Sequence, residues 1–188
     1  MAEWASSDGK DVLGDFYAEK ISLPLDFIVD PSETKMFGSM GESAYLFEAY
    51  NMTLNAHSHG LDLAKFDTDE GLKKYFFPTS TSEEPDGEHL TFVASMESAN
   101  YPLFATQFHP EKTFTMFKEN EGVNHSWMSE MMNRKFGDYF MSLARQNTNS
   151  YGDYASVQPE IIANFDMIVT DGYYGEVYMF NSTDIFYS

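Results

Sequence analysis

Apolar residues fall at every second position from Ile21 through Leu23, Leu25 and Phe27 to Val29, a period that predicts a strand. Pro24 lies inside it and predicts an edge position or a break. Residues 42–50 suit a short helix leading into a strand through Met52, Leu54 and Ala56, with His57 delivered at its end. Asp69 to Phe76 predicts another short helix, and Ser82 to Glu88 an acidic turn before strands over 90–96 and 102–108. The best helix runs over 126–146: Ser126 can cap it, and Met128, Met132, Phe136, Tyr139, Phe140 and Leu143 recur at three- and four-residue steps. That Met and aromatic stripe reads as core. After a polar connector at 147–155, residues 161–170 and 174–180 predict two strands joined by a turn at Asp171-Gly172-Tyr173. At the other end, Met1, Trp4 and Ala5 with Asp8-Gly9 read as the last two turns of a helix stopped by glycine, so the chain reads as starting mid-helix. Strands and helices interleave throughout, which predicts an α/β class with some hairpin pairing.

The chain has 188 residues, the length of one domain, so residues 1–188 are expected to form a single domain. Its 17 Phe and 12 Tyr argue for a dense core and against disorder. Eleven Lys and Arg against 30 Asp and Glu give a formal charge of −19, which repels phosphate backbones and anionic lipid; nucleic acid is excluded as a partner. No stretch is apolar enough to predict a membrane span, and no signal peptide is read at the start. Three Asn-x-Ser/Thr triplets, at Asn51, Asn124 and Asn181, are candidate glycosylation sites in a secretory lumen. The sequence contains no cysteine, so within it a disulfide, a thiolate metal site and a cysteine nucleophile are all excluded.

Of the five histidines, His109 stands in the most chemical context. An apolar strand stops there, Pro110 ends the ladder, and Glu111 follows two residues on. A carboxylate beside a histidine fixes its tautomer and stabilises the imidazolium, which is what a general base requires. The bland alternative is a surface histidine at a strand terminus. A rival reading takes His57-Ser58-His59 with His109 and Glu111 as metal ligands; lacking any other spacing signal, it is set aside, and no metal or cofactor is expected. His89 and His125 carry no pattern and are expected to face solvent, and Asp67, Asp69 and Glu70 lack calcium-loop spacing and read as charges at a helix N-terminus.

Gln107-Phe108-His109-Pro110-Glu111-Lys112 resembles the His-Pro-Glu motif of class I glutamine amidotransferase-like proteins. More closely, it resembles the γ-glutamyl hydrolase family. Matches to that family continue in order through Leu23-Pro24-Leu25, Lys35-Met36-Phe37, Leu54-Asn55-Ala56-His57 with Leu61, Leu72 to Phe76, Glu97 to Pro102, and the closing segment from Ile161 to Phe180. The resemblance implies a class I amidotransferase-like (flavodoxin-like) layered sandwich, mostly parallel at its centre, with antiparallel strands added in the C-terminal half. This chain would be the C-terminal part of such a domain. It also implies a peptidase-type reaction: a cysteine on a nucleophile elbow attacks the γ-glutamyl bond of a folylpoly-γ-glutamate, His109 activates it and Glu111 orients His109. His57 matches a second histidine beside the nucleophile that would contact substrate, and Lys112 is a local cation for an anionic substrate. Family order would put the cysteine a few residues ahead of Met1. A truncated hydrolase is therefore the favoured reading, and a catalytically dead structural or binding subunit the alternative. A stable subunit would need a homodimer or a partner chain to cover the exposed sheet face, and the family implies a lysosomal or secreted protein.

Overall fold

The computed structural model describes residues 1–85, 89–170 and 176–179, with the side chains of Lys10, Asp11 and Glu176 left undescribed. The predicted turn at 171–173, part of the acidic run at 86–88, and Asn181 lie outside the described residues. Two compact units divide the chain, Met1–Ala144 and Arg145–Ser188.

In the first unit, helix α1 (Ala2–Ala5) leads through a 3-10 turn into β1 (Leu13–Leu23). β1 starts earlier than its alternation predicts, and the ladder breaks at Pro24, which has no N–H to give, before the two-residue β2 (Asp26–Phe27). Two short helices, α2 (Lys35–Gly38) and α3 (Leu46–Ala49), precede β3 (Thr53–Leu61). Helices α4 (Leu63–Thr68) and α5 (Glu70–Tyr75) follow, the latter where Asp69 to Phe76 predicts it. Then come β4 (Phe77–Glu83), β5 (Thr91–Glu97), β6 (Phe104–Thr106), α6 (Lys112–Thr115) and the long α7 (Trp127–Ala144).

β1 pairs with β3, and a four-stranded sheet has the order β2-β4-β5-β6. Every pairing among the described strands is antiparallel, so a mostly parallel centre is not found in them. The connections explain it. β4 returns as β5 through residues 84–90 and β5 as β6 through 98–103, too short for the crossover helix that a parallel neighbour requires. The chain is thus mixed α/β with antiparallel sheets.

The core forms where the apolar faces meet. Phe136 of α7 touches Phe37, Phe47 and Phe108 with ring centroids 5.7, 5.5 and 5.5 Å apart, and Met132 is fully buried one turn away. The α7 stripe is core as far as Tyr139, whereas Phe140 is exposed. Ser126 accepts from the Ser129 N–H and so caps the helix as its sequence predicts. A second cluster, with Leu61, Phe66, Leu72, Phe76, Val93 and Met96, fills the other side of β5.

The carboxylate of Asp69 caps α5 through the Leu72 N–H and also accepts from the Ser6 hydroxyl and the Ser7 N–H, holding the segment after α1 against α5. Gly71 is required there, because a Cβ would lie 2.3 Å from the Ala5 carbonyl oxygen. Asp69 and Glu70 of the acidic cluster therefore lie at a helix N-terminus, as the sequence reading has it, whereas Asp67 lies in the last turn of α4. Buried Glu97 similarly accepts from the backbone N–H groups of Lys35 and Met36 at the start of α2.

The second unit contains α8 (Tyr154–Val157), two 3-10 turns, and β7 (Met167–Val169) paired antiparallel with β8 (Glu176–Tyr178). The predicted strand pair is there, but residues 162–164 form a 3-10 turn where strand is predicted.

Candidate active site

Phe108 is buried against Phe136, and the next residue, His109, leaves the four-stranded sheet. The Gln107 N–H still bonds to Ala94 of β5, while the His109 N–H donates to the Leu54 carbonyl of β3 at 2.8 Å. His109 is therefore pinned between the two sheets, with an aromatic anchor behind it. Pro110 and Glu111 turn the chain into α6, which brings the Glu111 carboxylate back over the ring: His109 Nδ1 and Glu111 Oε1 are 3.0 Å apart. A carboxylate can only accept, so Nδ1 carries the proton and Nε2 is left as the basic nitrogen. The hydrogen bond from His109 is the main reason the Glu111 carboxyl lies below its usual range; the charge of Lys112, the first residue of α6, is a smaller contribution. Side-chain exposures of 41% for His109 and 56% for Glu111 leave the pair open to solvent and to a substrate.

His57 lies inside β3 rather than at a strand end, because the ladder with β1 continues past it to Leu61. Its Nε2 sits 3.1 Å from Asn55 Oδ1. Asn55 is fully buried, and its amide nitrogen donates to the Thr53 carbonyl, so the oxygen must be the atom facing the imidazole and Nε2 the protonated nitrogen. The ring meets Phe92 edge to face at 4.8 Å, and Nδ1 is buried with no hydrogen-bond partner in the structure. Burial is the chief cause that pushes His57 down to about 4; the His59 backbone opposes it, and the charges of His109 and His59 add to it. His57 is thus a neutral imidazole at any pH above that value.

His59 pairs with Asp15 at 3.0 Å across the β1–β3 ladder, both side chains exposed, and His89 pairs with Glu83. His125 is exposed but engaged, stacking on Phe117 and meeting the Thr113 carbonyl. Among the described residues, no three His, Asp or Glu side chains gather as a metal site, and no helix is long and apolar enough to cross a membrane. Asn51 is exposed, although Thr53 of its triplet is buried with its hydroxyl on the Leu23 carbonyl. The Asn124 side-chain amide donates to the Asn51 carbonyl. Phe92, and the part that Asn55 plays beside His57, escape the sequence reading. Asn55 could have been found, since it stands two residues before His57 on the same face of a strand; the Phe92 contact joins distant parts of the chain and leaves no local signal.

A histidine at a strand exit, with a carboxylate holding its Nδ1–H on a mixed α/β scaffold, has the arrangement that a general base requires. No family model matches the chain. Individual proteins do: the γ-glutamyl hydrolase of Rattus norvegicus is 28% identical over 164 residues, 86% of this chain and 51% of that protein. γ-Glutamyl hydrolase B of Dictyostelium discoideum is 26% identical over 92% of this chain and 50% of its own length, and the Homo sapiens γ-glutamyl hydrolase 27% identical over 80% and 46%. Over most of its length the chain is thus similar to proteins named γ-glutamyl hydrolases. It spans about half the length of the curated relatives it matches.

Proposed function

We propose that the chain supplies the acid–base portion of a γ-glutamyl hydrolase-like enzyme with an amidotransferase-like layered sandwich, residues 1–188 being the C-terminal part of one domain. The observation that carries this reading is the 3.0 Å His109–Glu111 pair at a strand exit, in a chain whose relatives are named γ-glutamyl hydrolases. The substrate would be a folylpoly-γ-glutamate, with Lys112 and the neutral ring of His57 on its binding side.

These residues contain no cysteine, so the thiol would come from a polypeptide segment beyond them. His109 Nε2 takes the thiol proton as sulfur attacks the γ-carbonyl carbon. It then returns that proton to the departing amine as the C–N bond breaks, leaving a thioester. In the second half His109 deprotonates water, whose oxygen attacks the thioester; the C–S bond breaks, and the products are the γ-carboxyl group and the regenerated thiol. Glu111 holds Nδ1–H throughout and stabilises the imidazolium that forms within each half, before its proton passes to the amine in the first and to the departing thiolate in the second. No cofactor or metal enters this sequence. Lysosomal or secreted placement, with glycans on Asn51, Asn124 and Asn181, goes with the same reading.

The lack of a thiol supports a second reading, a catalytically dead subunit of a larger assembly. An assay of folylpoly-γ-glutamate hydrolysis separates the two. The 188-residue chain alone should be inactive. Combined with a cysteine-bearing portion of a relative, it should show turnover that alkylation abolishes and His109→Ala lowers by a factor of about a thousand or more. Turnover by the chain alone that His109→Ala removes would overturn the thiol route. No turnover in the combination would leave the subunit reading standing.

A further inference from the structure

A second histidine–carboxylate pair lies on the strand that carries His57. His59 stands two residues further along β3, so its side chain leaves the same face as those of Asn55 and His57. The alternation is kept there because both irregularities of the β1–β3 ladder place their extra residue on β1. Asp15 is the register partner of His59, and its Oδ1 lies 3.0 Å from His59 Nδ1, the same ring atom and distance by which Glu111 holds His109. Nδ1 of His59 therefore carries a proton, and Nε2 is left free of the carboxylate. The pair is tied to the site already described. The His109 N–H is bonded to Leu54 of the same strand, the side-chain amide of Gln107 donates to the His59 carbonyl at 3.5 Å, and the charges of His109 and His59 both bear on His57.

The two strand histidines differ in what they can carry. Burial opposes a charge on His57, whereas the side chains of His59 and Asp15 are 65% and 76% exposed and open to water and to a ligand. An exposed imidazole that takes a second proton donates Nε2–H to an anion, in a charge-assisted hydrogen bond. The substrate proposed above is a chain of γ-linked glutamyl units, each with a free α-carboxylate. The −19 charge of the protein opposes its approach except where a cation is presented. Lys112 presents one on α6, directly after Glu111, and His59 presents another on β3. We propose that the His59–Asp15 pair is a subsite for an α-carboxylate of the γ-linked tail, His59 Nε2–H donating to it while Asp15 holds Nδ1 and fixes the ring. The proposal rests on the hydrolase reading for its ligand and adds a residue that selects α-acid tails over α-amide ones.

The test titrates the 188-residue chain at pH 6 with γ-linked triglutamate and with the same peptide bearing α-carboxamides, and follows the ring signals of His59 and His109 by NMR. Triglutamate should shift His59 and bind about tenfold or more tightly than the carboxamide peptide. His59→Gln should remove that preference, and His59→Arg, which keeps a positive charge, should restore it. Neither substitution touches the core, because the side chain is exposed. Triglutamate binding that leaves His59 unshifted, equal binding of the two peptides, a preference that survives His59→Gln, or no binding at millimolar peptide overturns the subsite. A shift at His109 without one at His59 overturns the subsite and leaves the hydrolase reading standing. A shift at His59 without one at His109 upholds the anion subsite and counts against the hydrolase reading.

Discussion

His57 makes the stability of this chain depend on pH in a way its sequence does not announce. Burial, here against Phe92, holds the ring neutral, and it lies at about 4 where a free histidine lies at 6.5. Between those values the unfolded chain takes up a proton that the folded chain refuses. Stability should therefore fall as the pH drops through 6.5, and this contribution should level off below about 4. Complete burial would make the loss roughly 3 kcal/mol at 1.36 kcal/mol for each tenfold change. The ring is only partly buried, and solvent screening brings the figure to about 2 kcal/mol. Urea unfolding at pH 7.5, 6.5, 5.5 and 4.5 for the parent and for His57→Gln isolates the term, because every other titrating group is common to both. The parent should lose about 2 kcal/mol more than the variant across this range. A difference that stays flat with pH, or an NMR titration of His57 with its midpoint near 6.5, would refute the argument.

Three other outcomes follow from the packing and the backbone. Asn55→Asp puts a carboxylate against His57 Nε2 and should raise its titration midpoint by a unit or more, read by NMR, so that the pH window above narrows. Phe37→Ala empties the place where Phe27, Phe47 and Phe136 converge and should cost about 3–5 kcal/mol in chemical denaturation. Gly122 sits at φ +65° with its Cβ position 1.9 Å from the Lys20 carbonyl oxygen, so Gly122→Ala should lower the midpoint of thermal unfolding and release the Ser22–Gly122 hydrogen bond; an unchanged midpoint would mean that β1 can shift freely there.

What could be read in advance was local. The His109–Glu111 pair spans two residues, and Pro110 between them marks where the strand must end, so both partners of the contact are visible in one hexapeptide. The α7 stripe and the Asp69 helix start are equally local, being matters of spacing and capping. β4 was missed for a physical reason: Thr79, Ser80, Thr81 and Ser82 are buried, yet hydropathy treats them as surface. They are accommodated because their hydroxyls find partners, Thr79 and Ser80 on Ser95, and Ser82 on the Pro24 carbonyl. The expectation of parallel strands came from resemblance, and periodicity carries no information about strand direction. The environment of His57 depends on Phe92, 35 positions away, and no pattern along the chain encodes that meeting.

Asp69 was described as a helix cap, but its reach makes it a latch. One carboxylate grips Ser6 and Ser7 from across more than sixty residues of chain. The first few residues, which with Leu61 and β6 line a cleft of about 590 Å³, are tethered by this clasp and by the packing of Trp4 on Tyr75 and of Ala5 in the second cluster, with no strand among them. The Ser6 hydroxyl chief among its donors keeps the Asp69 carboxyl well below the usual range, so the clasp stays shut in mild acid and releases only when that carboxyl is protonated or removed. Asp69→Asn should then let the N-terminal segment swing free while β1 and β3 stay paired, seen as fast amide exchange at Ser7 and Gly71 against slow exchange in the strands. One wall of the cleft is thus held in part by a side chain that does not itself line it.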